Sequence, residues 1–331
     1  MTQQIILKSR PVGLPVKENF ETRNVEIPEL TDGMVRLKAH TISVDPYMRG
    51  RMNDAKSYAA PFAVNEPIIG GCIAQVIESR ADGFKAGDFV RGALPWQLEM
   101  VVEPSGLNIV DAKLAPLSYY LGILGMPGLT AYFGLLDIGK PQSGETVVVS
   151  GAAGAVGMVV GQIAKIKGCR VIGIAGDETK ISYLLNELHF DAVINYKTTS
   201  DLPAAIEKVC PAGVDIYFDN VGGEISDAVL SNINKYARIP ICGQISLYNT
   251  TEQPVGPRIQ QTLLTNSAIM QGFMVNNYAS RFPEGFTALS QWVGSAELKY
   301  TTTVYHGFEK LPEALIALFE GKNLGKLVVE V

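Results

Sequence analysis

An apolar β-branched run that leads into three glycines and then into a helical pattern constrains this chain most. The run covers residues 147–149, the glycines are Gly151, Gly154 and Gly157, and an amphipathic pattern continues to Gly168. The spacing predicts a strand, a tight turn and a helix whose first N–H groups lack partners within the helix. Because such a helix N-terminus favours an anion, we expect the pyrophosphate of a dinucleotide here. A merely tight strand–helix turn remains the alternative.

Length and composition set the class of protein. The chain has 331 residues, enough for two domains of about 100–200 residues each. Its formal net charge of −5, without any block of Lys or Arg, argues against a nucleic-acid partner. Two uncharged stretches, 114–136 and 146–164, are long enough for membrane spans. Both contain turn-forming residues, so we expect buried core and no membrane segment.

The cysteines and histidines indicate neither disulfides nor a metal site. The four cysteines contain no CxxC pair, and the three histidines show no ligand spacing. This pattern is typical of reduced thiols in a cytoplasmic protein. The first residues also lack the basic segment and apolar core of a signal peptide. We therefore expect a cytoplasmic protein that binds no metal.

The chain changes character near residue 118. Residues 1 to about 115 show short strands and turns, which predict a compact β-rich domain such as a twisted partial barrel. From residue 118 onward strands and helices alternate, which predicts a doubly wound parallel sheet. The closing segment 326–331 alternates like the first part, so we expect it to return to the β-rich domain.

The segment Asp45–Met52, with the sequence DPYMRGRM, is expected to be an irregular loop because of its proline and glycine. Two interpretations are open for it. The loop either projects Tyr47, Met48 and Arg49 toward a ligand or carries solvated arginines on the surface. Tyr58, nearby in sequence, would line the same cleft or simply cover the barrel. A helix broken at a proline in the segment 125–132 would similarly set Thr130 facing a ligand, or would be only a bend.

Residues that directly follow the strands of a doubly wound sheet are candidate ligand contacts, because ligands bind at the carboxyl ends of these strands. After the second strand, Asp177 would chelate the ribose diol of NAD or cap the next helix, leaving Lys180 to meet the 2′-phosphate of NADP. Lys180 as a plain surface lysine is the alternative to this role, and residue chemistry leaves the choice nearly even. Tyr248 is the ionisable group best placed to polarise a carbonyl or donate a proton, or it is a packed aromatic. Other candidates at such positions are Tyr196, Asn220, Cys242, Gly243, Phe273, Met274 and Val275. Asn323, where the closing segment returns to the β-rich domain, is a further candidate. A core position for Phe273 and an ordinary turn for Asn323 stay open.

Six motifs together resemble the medium-chain dehydrogenase/reductase superfamily. They are DPYMRGRM at 45–52, GMPGLTAYFGL at 125–135, GAAGAVG at 151–157, FDNVGG at 218–223, CGQISLYN at 242–249 and GKNLGKLVVEV at 321–331. Within the superfamily the chain is most similar to the zinc-free prostaglandin reductase and curcumin reductase group, the NADPH-dependent alkenal/one reductases. This resemblance covers essentially the whole chain. It implies an α/β fold, with a doubly wound Rossmann sheet at 118–299 and a β-rich GroES-like partial barrel at 1–117 and 300–331.

The resemblance also implies a chemistry and its residues. Hydride from NADPH would reach the β-carbon of an enone or enal and a proton its α-carbon, without zinc, in a homodimer. Tyr248 would assist the proton transfer or stabilise the enolate. The acid at Asp177 departs from the expected surroundings of the 2′-phosphate. We assign to the cofactor Gly154, Ala155, Val156, Gly157, Thr130, Lys180, Tyr196, Asn220, Cys242, Gly243, Tyr248, Phe273, Met274, Val275 and Asn323, and to the substrate Tyr47, Tyr58 and Met126.

Two further functions remain open from the sequence. One is a zinc-free quinone reductase on the same fold, with a wide stacking pocket and no need for a proton donor at carbon. The other is a non-catalytic NADPH-binding protein, like the crystallin-type members of the superfamily. Turnover of an enone, of a naphthoquinone or of neither would distinguish the three.

Overall fold

The computed structural model describes residues 1–331, and the chain divides into two compact units. The first unit comprises Met1–Leu121 with Thr302–Val331, and the second comprises Gly122–Thr301. The uncharged stretches noted in the sequence lie largely in buried strands and helices. None of the helices is long and apolar enough to span a membrane.

Fifteen strands and nine α-helices are numbered here in chain order. The strands β1 to β15 are Thr2–Leu7, Phe20–Val25, Val35–Ser43, Ile69–Ser79, Phe89–Pro95, Glu99–Val102, Asn108–Val110, Thr146–Ser150, Arg170–Ala175, Ala192–Asn195, Val214–Phe218, Ile233–Ile241, Ile269–Gly272, Thr302–His306 and Lys326–Glu330. The helices α1 to α9 are Tyr47–Arg51, Met126–Phe133, Gly157–Ile166, Glu178–Ser182, Leu202–Val209, Gly223–Leu230, Gln260–Asn266, Phe282–Gly294 and Leu311–Phe319. Two π-helical segments, Gly134–Gly139 and Tyr183–Glu187, continue α2 and α4.

The first unit is built around a seven-stranded sheet with β3 near its centre. The strand order is β14-β15-β3-β4-β5-β7, and β6 also pairs with β3. All pairs are antiparallel except β14 with β15. Val328 of β15 lies opposite Ser43 of β3, which confirms that the closing strand returns to the β-rich unit. A large apolar core that includes Leu37, Ile42 and Trp96 fills this unit.

The second unit contains six parallel strands in the order β10-β9-β8-β11-β12-β13. If the six strands of this sheet are counted from β8 as the first, their order in the sheet is 3-2-1-4-5-6. This is the order of a doubly wound Rossmann sheet, so the predicted doubly wound sheet is confirmed. β8, with the sequence TVVVS, is buried along its whole length, as a central parallel strand should be. The strand order reverses between β8 and β11. The loops after these two strands therefore flank the position where such sheets bind ligands.

The segment after β3 differs from the prediction. It forms the short helix α1 rather than a loop, and Met48 is fully buried. Arg49 is only 3% exposed, and its Nε and Nη2 donate to the carbonyl oxygen of Gly13 at 3.1 and 2.9 Å. Backbone carbonyls therefore hold this charge inside the fold. Both interpretations of Met48 and Arg49, as ligand contacts or as a solvated loop, are wrong.

Helix α2 also differs from the predicted broken helix. Pro127 lies in the first turn of α2, where its missing N–H removes no helical hydrogen bond. A separate 3₁₀ turn, Leu117–Leu121, precedes it. The proline thus starts this helix and does not interrupt it.

Candidate cofactor and active site

The glycine turn joins β8 to α3 in the second unit. Gly151 has a φ of +58°, and a Cβ on Gly157 would lie 2.3 Å from the carbonyl oxygen of Gly151. Only glycine fits at Gly157, because the backbone turns so tightly there. The N-cap of α3 is Val156, and no side chain caps its first turn, so backbone N–H groups are left for an anion. These features fit a pyrophosphate. At the far end, Gly168 adopts the predicted left-handed conformation with a φ of +79°.

The loop after β9 brings an acid and a lysine together. Asp177 caps α4, because its Oδ1 accepts a hydrogen bond from the backbone N–H of Lys180 at 3.0 Å. This confirms the predicted N-cap. The Nζ of Lys180 lies 3.5 Å from Oδ2 of Asp177, and the lysine side chain is only 15% exposed. Burial lowers the pKa of Lys180, and the charge of Asp177 acts in the opposite direction.

A second lysine lies at the same loop. A Cβ on Gly176 would be 2.8 Å from Cε1 of Tyr196 and 3.1 Å from Cε of Lys197. The charge of Lys197 also lowers the pKa of Lys180. Tyr196 and Lys197 therefore lie against Gly176, and the charge of Lys197 acts on Lys180, an arrangement that fits a phosphate. The sequence reasoning missed Lys197, although a basic residue directly after Tyr196 was the signal available.

Tyr248 follows the 3₁₀ turn Ile245–Leu247 beyond β12. Its hydroxyl oxygen accepts a hydrogen bond from the backbone N–H of Gln244 at 3.2 Å. A Cβ on Gly243 would lie 3.3 Å from this hydroxyl, so a glycine gives the phenol its room. Burial is the main cause that raises the pKa of Tyr248 above its ordinary value. The phenol therefore stays protonated at neutral pH and keeps its O–H as a donor.

The neighbouring Cys242 is not poised as a nucleophile. Burial, aided by the charge of Asp219, raises the pKa of its thiol to about 12. The thiol is thus uncharged at neutral pH, and reactivity requires the thiolate. We expect Cys242 to serve this loop through its shape and backbone.

Two predicted cofactor residues already bond within the protein. The side-chain Nδ2 of Asn220 donates to the carbonyl oxygen of Ser150 at 2.8 Å, and its backbone N–H donates to Ser150 Oγ at 3.0 Å. The Oγ1 of Thr130 donates to the carbonyl oxygen of Met126 at 2.7 Å. These side chains retain acceptor oxygens for a ligand, but the Thr130 hydroxyl hydrogen is used within α2. Their contacts with the cofactor stay predictions.

The residues after β13 differ in how far they are buried. The ring of Phe273 packs against Gly134, where a Cβ would lie 2.4 Å from its Cζ, and it meets Phe218 edge-on with centroids 6.3 Å apart. This is the packing role that the sequence left open. Met274 is exposed and Val275 half-buried, so they are the freer contacts. Met126, the candidate substrate contact on α2, is also exposed.

Three predicted site residues belong to the first unit. Tyr47 is half-buried, and desolvation raises the pKa of its phenol far above the ordinary value; Asp45 adds to this effect and Arg51 opposes it. Tyr58 is 61% exposed. Asn323 is buried and its Nδ2 donates to the carbonyl oxygen of Gly325 at 2.7 Å, which is the turn role left open in the sequence. Substrate contacts of the tyrosines and a cofactor contact of Asn323 stay predictions.

A buried ion pair lies just before α1, and the sequence reasoning missed it. Lys326 is 2% exposed, and its Nζ lies 3.2 Å from Oδ1 of Asp45. The same Nζ donates to the carbonyl oxygens of Val44 and Leu327 at 2.8 and 2.7 Å. Ser43 Oγ donates to the other carboxylate oxygen. Because these contacts join residues far apart in the sequence, no local sequence pattern predicts them.

Comparisons with known proteins agree along the whole chain. Family models described as "N-terminal domain of oxidoreductase" and "Zinc-binding dehydrogenase" match residues 3–110 and 155–292. No group of three or more His, Cys, Asp or Glu side chains is placed to hold a metal ion.

The putative NADP-dependent oxidoreductase YfmJ of Bacillus subtilis is 54% identical over 99% of this chain and 97% of its own length. The NADPH-dependent curcumin reductase of Escherichia coli is 42% identical over 98% of this chain and 96% of its own. The crystal structure of CurA from Vibrio vulnificus in complex with NADPH is 45% identical, with a TM-score of 0.94 and 99% coverage of both chains. The chain therefore belongs to the medium-chain dehydrogenase/reductase family, in the group of the curcumin and prostaglandin reductases, as its six motifs predicted.

Proposed function

We propose that this protein uses NADPH to reduce the carbon–carbon double bond of α,β-unsaturated ketones and aldehydes. The observation that carries the proposal is the 42% identity, along 98% of the chain, with a curcumin reductase. Curcumin is a conjugated enone, so a relative of this similarity points to the same class of acceptor. The site in the second unit supports the proposal, since it offers an anion cradle, two lysines and a protonated phenol.

The residues of the second unit fit NADPH in a definite order. The turn Gly154–Gly157 and the N-terminus of α3 would hold the pyrophosphate, and Lys180 with Lys197 would hold the 2′-phosphate. The remaining contacts would come from Thr130, Tyr196, Asn220, Cys242, Gly243, Tyr248, Phe273, Met274, Val275 and Asn323. When bound, NADPH supplies the hydride that adds to the β-carbon of the substrate.

Tyr248 would act on the carbonyl end of the substrate. Negative charge develops on the carbonyl oxygen as the double bond is reduced, and a hydrogen-bond donor fixed in advance stabilises that charge most effectively. Tyr248 meets this need, because its phenol is protonated and its oxygen is held by the Gln244 N–H. Tyr248 or water then delivers the proton to the α-carbon. We assign Tyr47, Tyr58 and Met126 to binding of the substrate.

Steady-state rates with matched acceptors test this function. We expect NADPH consumption with a simple enone, with the saturated ketone as product. A much higher kcat/KM for a naphthoquinone than for any enone or enal would overturn the proposal in favour of a quinone reductase. Tight NADPH binding without turnover of any acceptor would instead identify a binding protein.

We further propose that the protein is a homodimer that buries the free edge of the parallel sheet. β13 is the edge strand, and Ile269 on it is 59% exposed, while Leu264 on the adjacent α7 is 73% exposed. A bare edge with large apolar side chains is a surface that proteins ordinarily cover. Light scattering coupled to gel filtration should give a dimer mass, and Ile269→Lys should give a monomer. A monomeric wild-type protein at micromolar concentration would contradict this.

We also propose that the protein works in the cytoplasm. All four cysteines are free, and Cys72, Cys169 and Cys210 are buried. Unpaired thiols in this number are typical of a reducing compartment. Recovery of the native protein from outside the cell membrane would contradict this location.

A further inference from the structure

The carboxylate of Asp219 joins three segments at the ligand-binding end of the parallel sheet. Asp219 directly follows β11 and is 1% exposed. Its Oδ1 accepts hydrogen bonds from Ser150 Oγ at 3.1 Å, Tyr217 OH at 2.8 Å and the backbone N–H groups of Val221 at 3.0 Å and Gly222 at 2.9 Å. Its Oδ2 accepts from Nε2 of Gln244 at 3.2 Å. One buried group thus contacts the ends of β8 and β11 and the loop after β12.

Gln244 connects this carboxylate to Tyr248. Its side-chain amide donates to Asp219, and its backbone N–H donates to the hydroxyl oxygen of Tyr248. The amide is confined from the other side, because a Cβ on Gly222 would lie only 2.4 Å from Oε1 of Gln244. Gly222 has a φ of +72°, which favours glycine. Gln244 therefore contacts both the carboxylate of Asp219 and the phenol of Tyr248.

Backbone contacts hold the residues on both sides of Gln244, since the N–H groups of Ile245 and Ser246 donate to the carbonyl oxygens of Asn220 and Val221 at 3.4 and 3.1 Å. The N–H groups of Cys242 and Gly243 donate to the carbonyl oxygen of Asp219 at 2.8 and 3.1 Å, which holds the first residues after β12. Gln244 has a non-helical backbone, with φ −135° and ψ 52°, between these contacts and the 3₁₀ turn. Its side chain adds a direct contact between this transition residue and Asp219.

We propose that Asp219 is a positioning residue that holds Gln244, and through it the Tyr248 hydroxyl, in register with the glycine turn. The proposal rests on the function proposed above for Tyr248. The chemistry requires a carboxylate, since all five groups that face Asp219 are donors in this geometry and both of its oxygens accept. An asparagine at this position would replace one of the two acceptor oxygens by an N–H₂ group, which would face the donors on that side without accepting from them.

A swap of donor and acceptor tests this contact. Asp219→Asn keeps the Oδ1 contacts but turns an amide N–H₂ toward Gln244, so the Gln244 amide must rotate to present Oε1 and loses its native orientation. We expect kcat for an enone to fall about tenfold with KM changed by less than about threefold, because a misoriented donor costs stabilisation made only in the transition state. Adding Gln244→Glu restores an acceptor opposite the new amide and should recover most of the lost kcat. Gln244→Met, which removes only the amide while leaving Asp219 intact, should lower kcat to a similar extent.

Asp215→Asn is the matched control on the same strand. Asp215 accepts from the Thr146 backbone N–H and from Asn234 Nδ2, both at 2.8 Å, at the opposite end of β11. This variant should keep the wild-type kcat even if its melting temperature falls. A purely structural role of Asp219 would give no recovery on adding Gln244→Glu, and that result would overturn the proposal.

Fluorescence titration of NADPH gives a readout that does not need turnover. Asp219→Asn should weaken NADPH binding several-fold, because it also releases the loop that carries the proposed cofactor contacts Cys242 and Gly243, whereas Tyr248→Phe leaves that loop in place. The double variant should recover the affinity. If the wild-type protein reduces no enone, the proposed function fails, and this recovery still decides the role of Asp219. Equal NADPH affinity in the wild type, Asp219→Asn and the double variant would show that Asp219 positions nothing in the site.

Discussion

The Nζ of Lys180 lies 3.5 Å from Oδ2 of Asp177, so the candidate phosphate-binding cation and the acid beside it share one loop. The other carboxylate oxygen caps α4 through the Lys180 backbone N–H. An acid at this place favours NAD when it is free to bind a ribose diol. Here one oxygen of Asp177 caps α4 and the other lies near the ammonium group of Lys180. This relationship favours NADP and leads to two opposite mutational predictions.

Removing the lysine should weaken NADPH binding selectively. We expect Lys180→Ala to raise the Kd of NADPH about 10- to 100-fold, because charge-assisted hydrogen bonds to a phosphate are among the strong ones. The Kd of NADH should stay within about twofold, since NADH has no 2′-phosphate. Lys167→Ala, at an exposed lysine just after α3, is the control. An equal loss for both cofactors would contradict the role of Lys180.

Neutralising the acid should have the reverse effect. Asp177→Asn keeps an equally good N-cap but removes a negative charge next to the lysine. NADPH affinity should therefore rise about two- to fivefold, with no gain for NADH. Isothermal titration with both cofactors measures this difference. A fall in NADPH affinity would mean that Asp177 orients Lys180 productively rather than opposing the phosphate.

Tyr248→Phe tests the hydrogen-bond donor at the carbonyl oxygen. We expect kcat for an enone to fall about 10²–10³-fold, the usual loss for one donor of this kind. The KM and the NADPH affinity should change little, because the ring and its packing are kept. An unchanged kcat would remove Tyr248 from the mechanism.

The pH dependence of the wild-type rate follows from the same phenol. Burial raises the pKa of Tyr248 above its ordinary value of about 10, so the donor form is present at all lower pH values. The contribution of Tyr248 to kcat should be constant from about pH 6 to pH 9 and disappear only as the pH rises beyond the ordinary tyrosine range. The stability gained from burying the neutral phenol is lost in the same alkaline direction. A decline of kcat centred below pH 8 that is absent in Tyr248→Phe would contradict this picture.

The buried pair in the first unit should dominate the stability of that unit. Lys326→Met leaves Asp45 buried without its cation, and the free energy of unfolding should fall by about 3–5 kcal/mol. The same change at the exposed Lys85 should cost less than about 0.5 kcal/mol. Combining Lys326→Met with Asp45→Asn should recover part of the loss. Urea denaturation of the wild type and these three variants measures the differences, and a loss below about 1 kcal/mol for Lys326→Met would contradict the pairing.

Local signals predicted the parts of the site that local geometry creates. The glycine turn, the cap at Asp177 and the left-handed Gly168 each depend on neighbours within a few residues, so spacing and residue type were sufficient. The doubly wound parallel sheet followed because alternating strands and helices permit few topologies.

Long-range contacts were beyond the sequence. Arg49 is buried because it binds a carbonyl 36 positions away, and Lys326 binds one 282 positions away. Asp219 and Ser150 are 69 positions apart in the sequence. The residues around the FDNVGG motif therefore give no sign that the Asp219 carboxylate accepts several buried hydrogen bonds. The loop at Asp45–Met52 was mistaken for the same reason, because its helix depends on burying Met48 and Arg49 against distant segments.

The central claim, NADPH-dependent reduction of the double bond of an enone, is tested most directly by following isotopes into the product. The reaction would be run with a simple enone and NADPH deuterated at the transferable position of the nicotinamide, and the product examined by NMR. The account predicts a saturated ketone with deuterium at the β-carbon, and incorporation at the α-carbon only when the solvent is D₂O. Deuterium at the carbonyl carbon of an allylic alcohol, or no reduction of any enone or enal, would contradict it.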